Sequence, residues 1–115
     1  MHEISLVQGL FHQLEKLARE NNGDKIISVT MEIGPLSGIV IDSFRFGFDV
    51  LSADNDLIRG AELIIEVPPA TYTCVQCGHK ETTSDSRPDK CIKCGDLFLI
   101  PTGGEDLILN RIEME

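Results

Sequence analysis

Four cysteines are the residues in this chain best suited to chemistry. They occur as Cys74-Val75-Gln76-Cys77 and Cys91-Ile92-Lys93-Cys94, and each pair is followed by a glycine, Gly78 or Gly95. A CxxC turn sets two sulfurs on one side of a tight loop, where they fit two corners of a tetrahedral metal site with Zn–S near 2.3 Å. The glycine after the second cysteine lets the backbone take φ > 0 and turn its N–H groups towards the thiolates. Two such knuckles predict a closed four-cysteine zinc site, although the 13 intervening residues fall just under the usual ribbon spacing. A pair of disulfides is the competing reading. It is disfavoured by the absence of a visible secretion signal and by the knuckle-like pairing.

A second candidate lies at the start, in Met1-His2-Glu3. A terminal amine, the deprotonated His2 amide and the His2 imidazole can close adjoining chelate rings on one metal. Such an all-nitrogen, near-planar set favours Ni(II) or Cu(II) over zinc. The Glu3 amide could complete the square, and its carboxylate could bind or accept an outer-shell hydrogen bond. The residues alone leave open an ordinary frayed terminus. His12 and Asp42 are weaker ligand candidates. His12 falls on the wet face of a helix, and Asp42 suits a helix cap.

These groups need elements to hold them. Val7, Leu10, Phe11, Leu14, Leu17 and Ala18 form an apolar stripe that predicts a helix from Ser5 to about Glu20, with Asn21-Asn22-Gly23 as its stop signal and Gly23 suited to the left-handed position past its end. Lys25 to Ile33 alternates as a half-buried strand, and Gly34-Pro35 ends it. A second helix runs to Ser52 through Phe44, Phe48 and Leu51. Phe11, Phe44, Phe46 and Phe48 are expected in the core, and Gly47 is expected to allow close packing. Ala61 to Val67 reads as a strand, reached by a parallel crossover. Pro68-Pro69 and Pro101-Thr102-Gly103-Gly104 read as a stiff exit and a flexible return around the cysteine segment. Glu105 to Met114 reads as a last strand beside the one ending at Val67. The expected fold is α+β: a small three-stranded mixed sheet with two helices, plus an inserted four-cysteine zinc-ribbon lobe. Its expected domains are 1–69 with 102–115, and 70–101.

The formal net charge is −9. Tyr72 to Asp96 carries four basic and four acidic residues, so the other lobe holds the whole excess. That distribution excludes a nucleic-acid-binding ribbon, which needs a basic footprint, and favours proteins or cations as partners. No apolar run reaches the roughly 18 residues of a membrane span. A reduced, cytoplasmic protein is expected.

Taken together, the chain resembles the HypA/HybF family of hydrogenase nickel-incorporation proteins. The resemblance rests on Met1-His2-Glu3, the amphipathic first helix, Gly34 with Ser37-Gly38, the Phe44/Gly47/Phe48 helix, Gly60-Ala61 leading to Leu63-Ile64-Ile65-Glu66, both CxxC pairs and Ile112-Glu113. It implies a nickel metallochaperone, not an enzyme, that serves [NiFe]-hydrogenase maturation and in some organisms urease. It implies transient Ni2+ at Met1, His2 and Glu3, and one structural Zn2+ at Cys74, Cys77, Cys91 and Cys94. The implied partners are a HypB-type GTPase and the hydrogenase large-subunit precursor; urease maturation proteins and a homodimer are further candidates. His79, two residues past Cys77, is a candidate for orienting a ligand or for pH-dependent exchange onto the metal. The second knuckle has no matching histidine. Two other classes stay in view: a zinc-ribbon adaptor working only through protein contacts, and a rubredoxin-like electron carrier.

Overall fold

The computed structural model describes residues 2–84 and 87–115, with the backbone alone at residue 2. The chain forms two compact units. The first comprises Met1–Met31, Ile39–Glu66 and Ile108–Glu115; the second comprises Glu32–Gly38 and Val67–Leu107.

In the first unit, helix α1 spans His2–Glu20. Val7, Leu10, Phe11, Leu14 and Ala18 recur on one face and are buried. The helix ends at the expected stop signal, but Gly23 does not take the left-handed position. Asn22 takes the left-handed conformation (φ 55°), and the Gly23 N–H reaches back to the Ala18 carbonyl at 2.8 Å. A Cβ on Gly23 would lie 2.5 Å from the Met114 sulfur, so that flexible side chain would have to move aside.

Strand β1 (Ile26–Ile33) is followed by helix α2 (Ile41–Ser52). Phe44 and Phe48 are buried, and Phe48 meets Phe11 edge to face with centroids 5.4 Å apart. Phe46 does not join them. It is 67% exposed, because its position lies off the stripe that Phe44 and Phe48 share. Gly47 does allow close helix packing: a Cβ there would stand 2.9 Å from Ile4 Cδ1 and 3.4 Å from Val7 Cγ2.

Strands β2 (Glu62–Glu66) and β6 (Leu107–Met114) flank β1 in the order β2-β1-β6. The last strand therefore does not lie beside β2, as the sequence suggested, but on the far side of β1. The most apolar strand takes the centre, where both its edges are paired. Lys25 and Glu115 exchange backbone hydrogen bonds of 3.3 and 2.9 Å, which makes β6 antiparallel to β1. Ile26 bonds the Leu57 carbonyl ahead of β2, while Pro35-Leu36 and Val67-Pro68 share a cavity past the ends of β1 and β2. Those two strands thus run parallel, and the sheet is mixed. β1 is more than half-buried, since Ser28 and Thr30 are covered as well. Short side chains on a central strand are shaded by their longer neighbours.

In the second unit, β3 (Ala70–Cys74) pairs antiparallel with β4 (Lys80–Thr83) on one side and β5 (Leu99–Gly103) on the other. Its core is Ala70, Tyr72, Cys74, Cys91 and Leu99. Pro101 to Gly103 is thus paired strand, not the expected flexible return. Pro101 is tolerated because β5 is an edge strand, where a missing N–H can face outward. Gly34 bonds the Asp106 carbonyl at 2.8 Å and Leu36 the Gly104 carbonyl at 2.7 Å. A Cβ on Gly34 would fall 2.1 Å from the Gly104 oxygen, so only glycine fits that approach.

Candidate metal centre

Each knuckle is shaped by its own backbone before any sulfur is considered. In the first, the Gly78 N–H donates to the Cys74 carbonyl (3.0 Å) and the Cys74 N–H to the His79 carbonyl (2.8 Å). In the second, Gly95 donates to Cys91 and Cys91 to Asp96, both at 2.8 Å. The offsets are the same, and Gly78 and Gly95 take φ of 77° and 79°. Two copies of one turn therefore face each other. The first cysteine of each is buried and the second exposed.

The four sulfurs lie within 4.8 Å of one another. The Cys74–Cys94 separation is 3.5 Å and the Cys77–Cys91 separation 3.6 Å. A zinc tetrahedron with 2.3 Å bonds has sulfur–sulfur edges of about 3.8 Å, so the donor set and its spacing fit such an ion. All four thiols are free, which removes the disulfide reading. Four sulfurs leave no open coordination position, so the centre is built to hold a metal and not to activate water.

The metal-free cluster also separates its thiols electrically. The Cys94 and Lys93 backbone N–H groups point at Cys91 and, with the neighbouring thiols, lower it to about 7 against the resistance of desolvation. Cys94 accepts from the Asp96 N–H, which lowers it. Crowding by Cys74, desolvation and the Cys77 and Cys91 sulfurs outweigh that bond and push it up to about 12.

His79 contributes its carbonyl to Cys74, and its half-buried ring does not join the four-sulfur group. Sequence reasoning weighed the ring and missed the carbonyl. It also missed Asp96, whose carbonyl holds Cys91 and whose Oδ1 accepts from the Phe98 N–H at 3.0 Å. The shared five-residue offset from each leading cysteine was the available signal.

At the other end of the sequence, Met1 and the His2 side chain lie outside the described residues. Helix α1 begins at His2, and Glu3 is buried, with Oε2 accepting from the Val40 N–H at 3.2 Å. Val40 occupies the N-cap position of α2 and supplies no side-chain bond, so Asp42 is not the cap. It stands exposed in the first turn of α2, and His12 is exposed on α1.

The fold and centre define a two-unit α+β protein with a closed four-cysteine metal site. The family model described as "Hydrogenase/urease nickel incorporation, metallochaperone, hypA" matches residues 1–114. The "Hydrogenase maturation factor HypA" proteins of Methanocella arvoryzae and Geobacter metallireducens are each 37% identical over 115 residues, covering all of this chain and 99% and 100% of theirs. The solution structure of the Ni metallochaperone HypA from Helicobacter pylori is 28% identical with a TM-score of 0.70, covering 99% of this chain and 97% of that one. A second HypA solution structure aligns with a TM-score of 0.75 at 28% identity, over 100% and 97% of the two chains. The chain belongs to the HypA family of nickel-incorporation metallochaperones. Among the described residues, no helix is long and apolar enough to cross a membrane.

Proposed function

We propose that this chain binds Ni(II) through Met1, His2 and Glu3 and delivers it during maturation of [NiFe]-hydrogenase, and in suitable hosts of urease. The observation that carries the reading is a family match running from the first residue, in a chain that opens Met-His-Glu at the start of α1. A set of terminal amine, amide and imidazole nitrogens suits Ni(II). Nickel is cargo: the site holds it loosely and passes it on by ligand exchange in a docked complex, and the chain makes or breaks no covalent bond in a substrate. Residues 1–69 and 102–115 form the nickel-binding domain, and 70–101 the zinc-binding domain.

Cys74, Cys77, Cys91 and Cys94 hold one structural Zn2+, which keeps the ribbon folded. Val75, Ile92, Leu97 and Phe98 are 59–76% exposed around that centre, a surface suited to protein contacts. A HypB-type GTPase, the hydrogenase large-subunit precursor and urease maturation proteins are the partners this role requires. The adaptor reading, contacts without nickel, is separated by titrating nickel into zinc-loaded protein with an unextended Met1. Binding should be stoichiometric, and lost in His2→Ala and on extension of the N-terminus by Gly-Ser. Equal nickel affinity in all three forms would overturn the assignment.

A further inference from the structure

Arg87 is anchored without a carboxylate. Its guanidinium lies over the buried Tyr72 ring, 5.4 Å from the centroid, and one N–H group donates to the Leu99 carbonyl. Among the described residues no acidic side chain pairs with it. A guanidinium presents its N–H groups as a rigid fork that matches planar acceptors. In a chain of net charge −9, a cation held by a ring and a carbonyl is open to an anion from outside.

That fork borders a cavity of about 410 Å³ that lies wholly within the second unit. Tyr72 of β3 and the hydroxyl-bearing Thr83 and Ser84 at the end of β4 line it beside Arg87. Pro35, Leu36, Val67 and Pro68 supply apolar surface, and Leu36 and Val67 are 38% and 51% exposed. No acidic side chain lines the cavity. Glu81, opposite Tyr72 in the β3–β4 register, neither lines it nor pairs with Arg87. The groove of about 500 Å³ between α1 and β6 also holds a cation, Arg111, but that one is paired with Glu113 at 3.8 Å.

We infer that this cavity binds a monocarboxylate carried on a compact apolar body. The carboxylate sits on the Arg87 fork with the Ser84 hydroxyl beside it, and the apolar body covers Pro35, Leu36, Val67 and Pro68. One guanidinium neutralises one negative charge, and its fork bonds a carboxylate through two parallel N–H groups. A phosphate dianion would keep a second charge that no other lining side chain meets. The volume falls in the lower part of the roughly 300–1,000 Å³ range of small-ligand sites. A free organic acid and the carboxyl terminus of a peptide ending in an apolar residue share this chemistry.

The test is an NMR titration of the isotope-labelled, zinc-loaded full chain with hydrocinnamate and, separately, with its neutral amide. The acid should shift the Ala70, Tyr72 and Thr83 resonances saturably with Kd of roughly 0.1–1 mM, ordinary for a ligand of about a dozen atoms. The amide should bind about tenfold more weakly or not at all. N-acetyl-Leu-Phe, compared with its C-terminal amide, distinguishes the sources: tighter binding than hydrocinnamate assigns the cavity to a peptide terminus, weaker binding to a free acid. Arg87→Gln should lower affinity about tenfold, and Arg87→Lys, which keeps the charge without the fork, should recover only part of it. Zinc content checks that each variant keeps its ribbon. If a variant loses zinc, the acid and amide comparison on the wild type decides alone. The inference is overturned by the absence of saturable shifts up to about 10 mM acid, by equal binding of acid and amide, or by undiminished binding in zinc-loaded Arg87→Gln.

Discussion

The Glu3 carboxylate accepts a hydrogen bond from the Val40 backbone N–H at 3.2 Å, and so ties the first turn of α1 to the entry of α2. The bond spans 37 residues and replaces the side-chain cap that α2 lacks.

Glu3→Ala should therefore lower thermal stability by about 1 kcal/mol, the scale of a lost cap, whereas Glu3→Gln keeps an acceptor and should lose less. Comparing their melting curves with zinc bound decides this. Equal losses would show that the hydrogen bond is not what Glu3 supplies.

Stripping metal from the four-cysteine centre should unfold the second unit and leave the first folded. A structural zinc site of this type carries on the order of 10–16 kcal/mol of apparent binding energy. With chelator, amide resonances of Tyr72 and Leu99 should collapse while those of Phe11 and Phe48 keep their dispersion. Retention of all four sets would mean that the backbone knuckles alone suffice.

Zinc uptake should release protons at neutral pH. Cys94, pushed up to about 12, is protonated there and must ionise to bind. Cys91 sits at about 7 instead of its ordinary 9.0. In the fraction of metal-free protein whose second unit is still folded, its thiolate contributes stability in full above pH 9, and that contribution is lost as pH falls through 7. Both effects make metal affinity rise with pH. A competition titration showing no change between about pH 6 and 8 would contradict this.

Gly47 and Ile4 should behave as a coupled pair. Gly47→Val should cost about 1–3 kcal/mol by overpacking the α1–α2 contact, because the new Cβ starts 2.9 Å from Ile4 Cδ1. Shortening the neighbour by Ile4→Val should recover part of the loss. A double-mutant cycle with no coupling would place the strain elsewhere.

Two glycines predict opposite signs. Gly9 is exposed in α1, and an added methyl would have nothing within 4 Å, so Gly9→Ala should stabilise by roughly 0.5–1 kcal/mol. Gly34→Ala drives a methyl into the Gly104 carbonyl and should destabilise even though its chemistry is the same. Chemical denaturation of the two variants checks both.

The parts legible in the sequence were those encoded by local period or spacing. The stripe of Val7, Phe11, Leu14 and Ala18 and the doubled CxxC are of this kind, because neighbours in sequence create the pattern. What escaped depends on distant partners. Phe46 is the exception: its phase, off the Phe44/Phe48 stripe, was readable locally. Pro101 is strand because β3 lies beside it. The burial of Ser28 and Thr30 depends on which strand takes the centre. The cap of α2 is set by a residue 37 positions away, and the His79 and Asp96 carbonyls act without any side-chain signature.

Each turn of the metal centre has a buried leading sulfur, Cys74 or Cys91, and an exposed trailing one, Cys77 or Cys94. A competing thiol or chelator can therefore reach only the trailing pair first. Exchange should then proceed by detaching Cys77 or Cys94 while the inner sulfurs still hold, so the lifetime of the ribbon is set by how often those two outer bonds open.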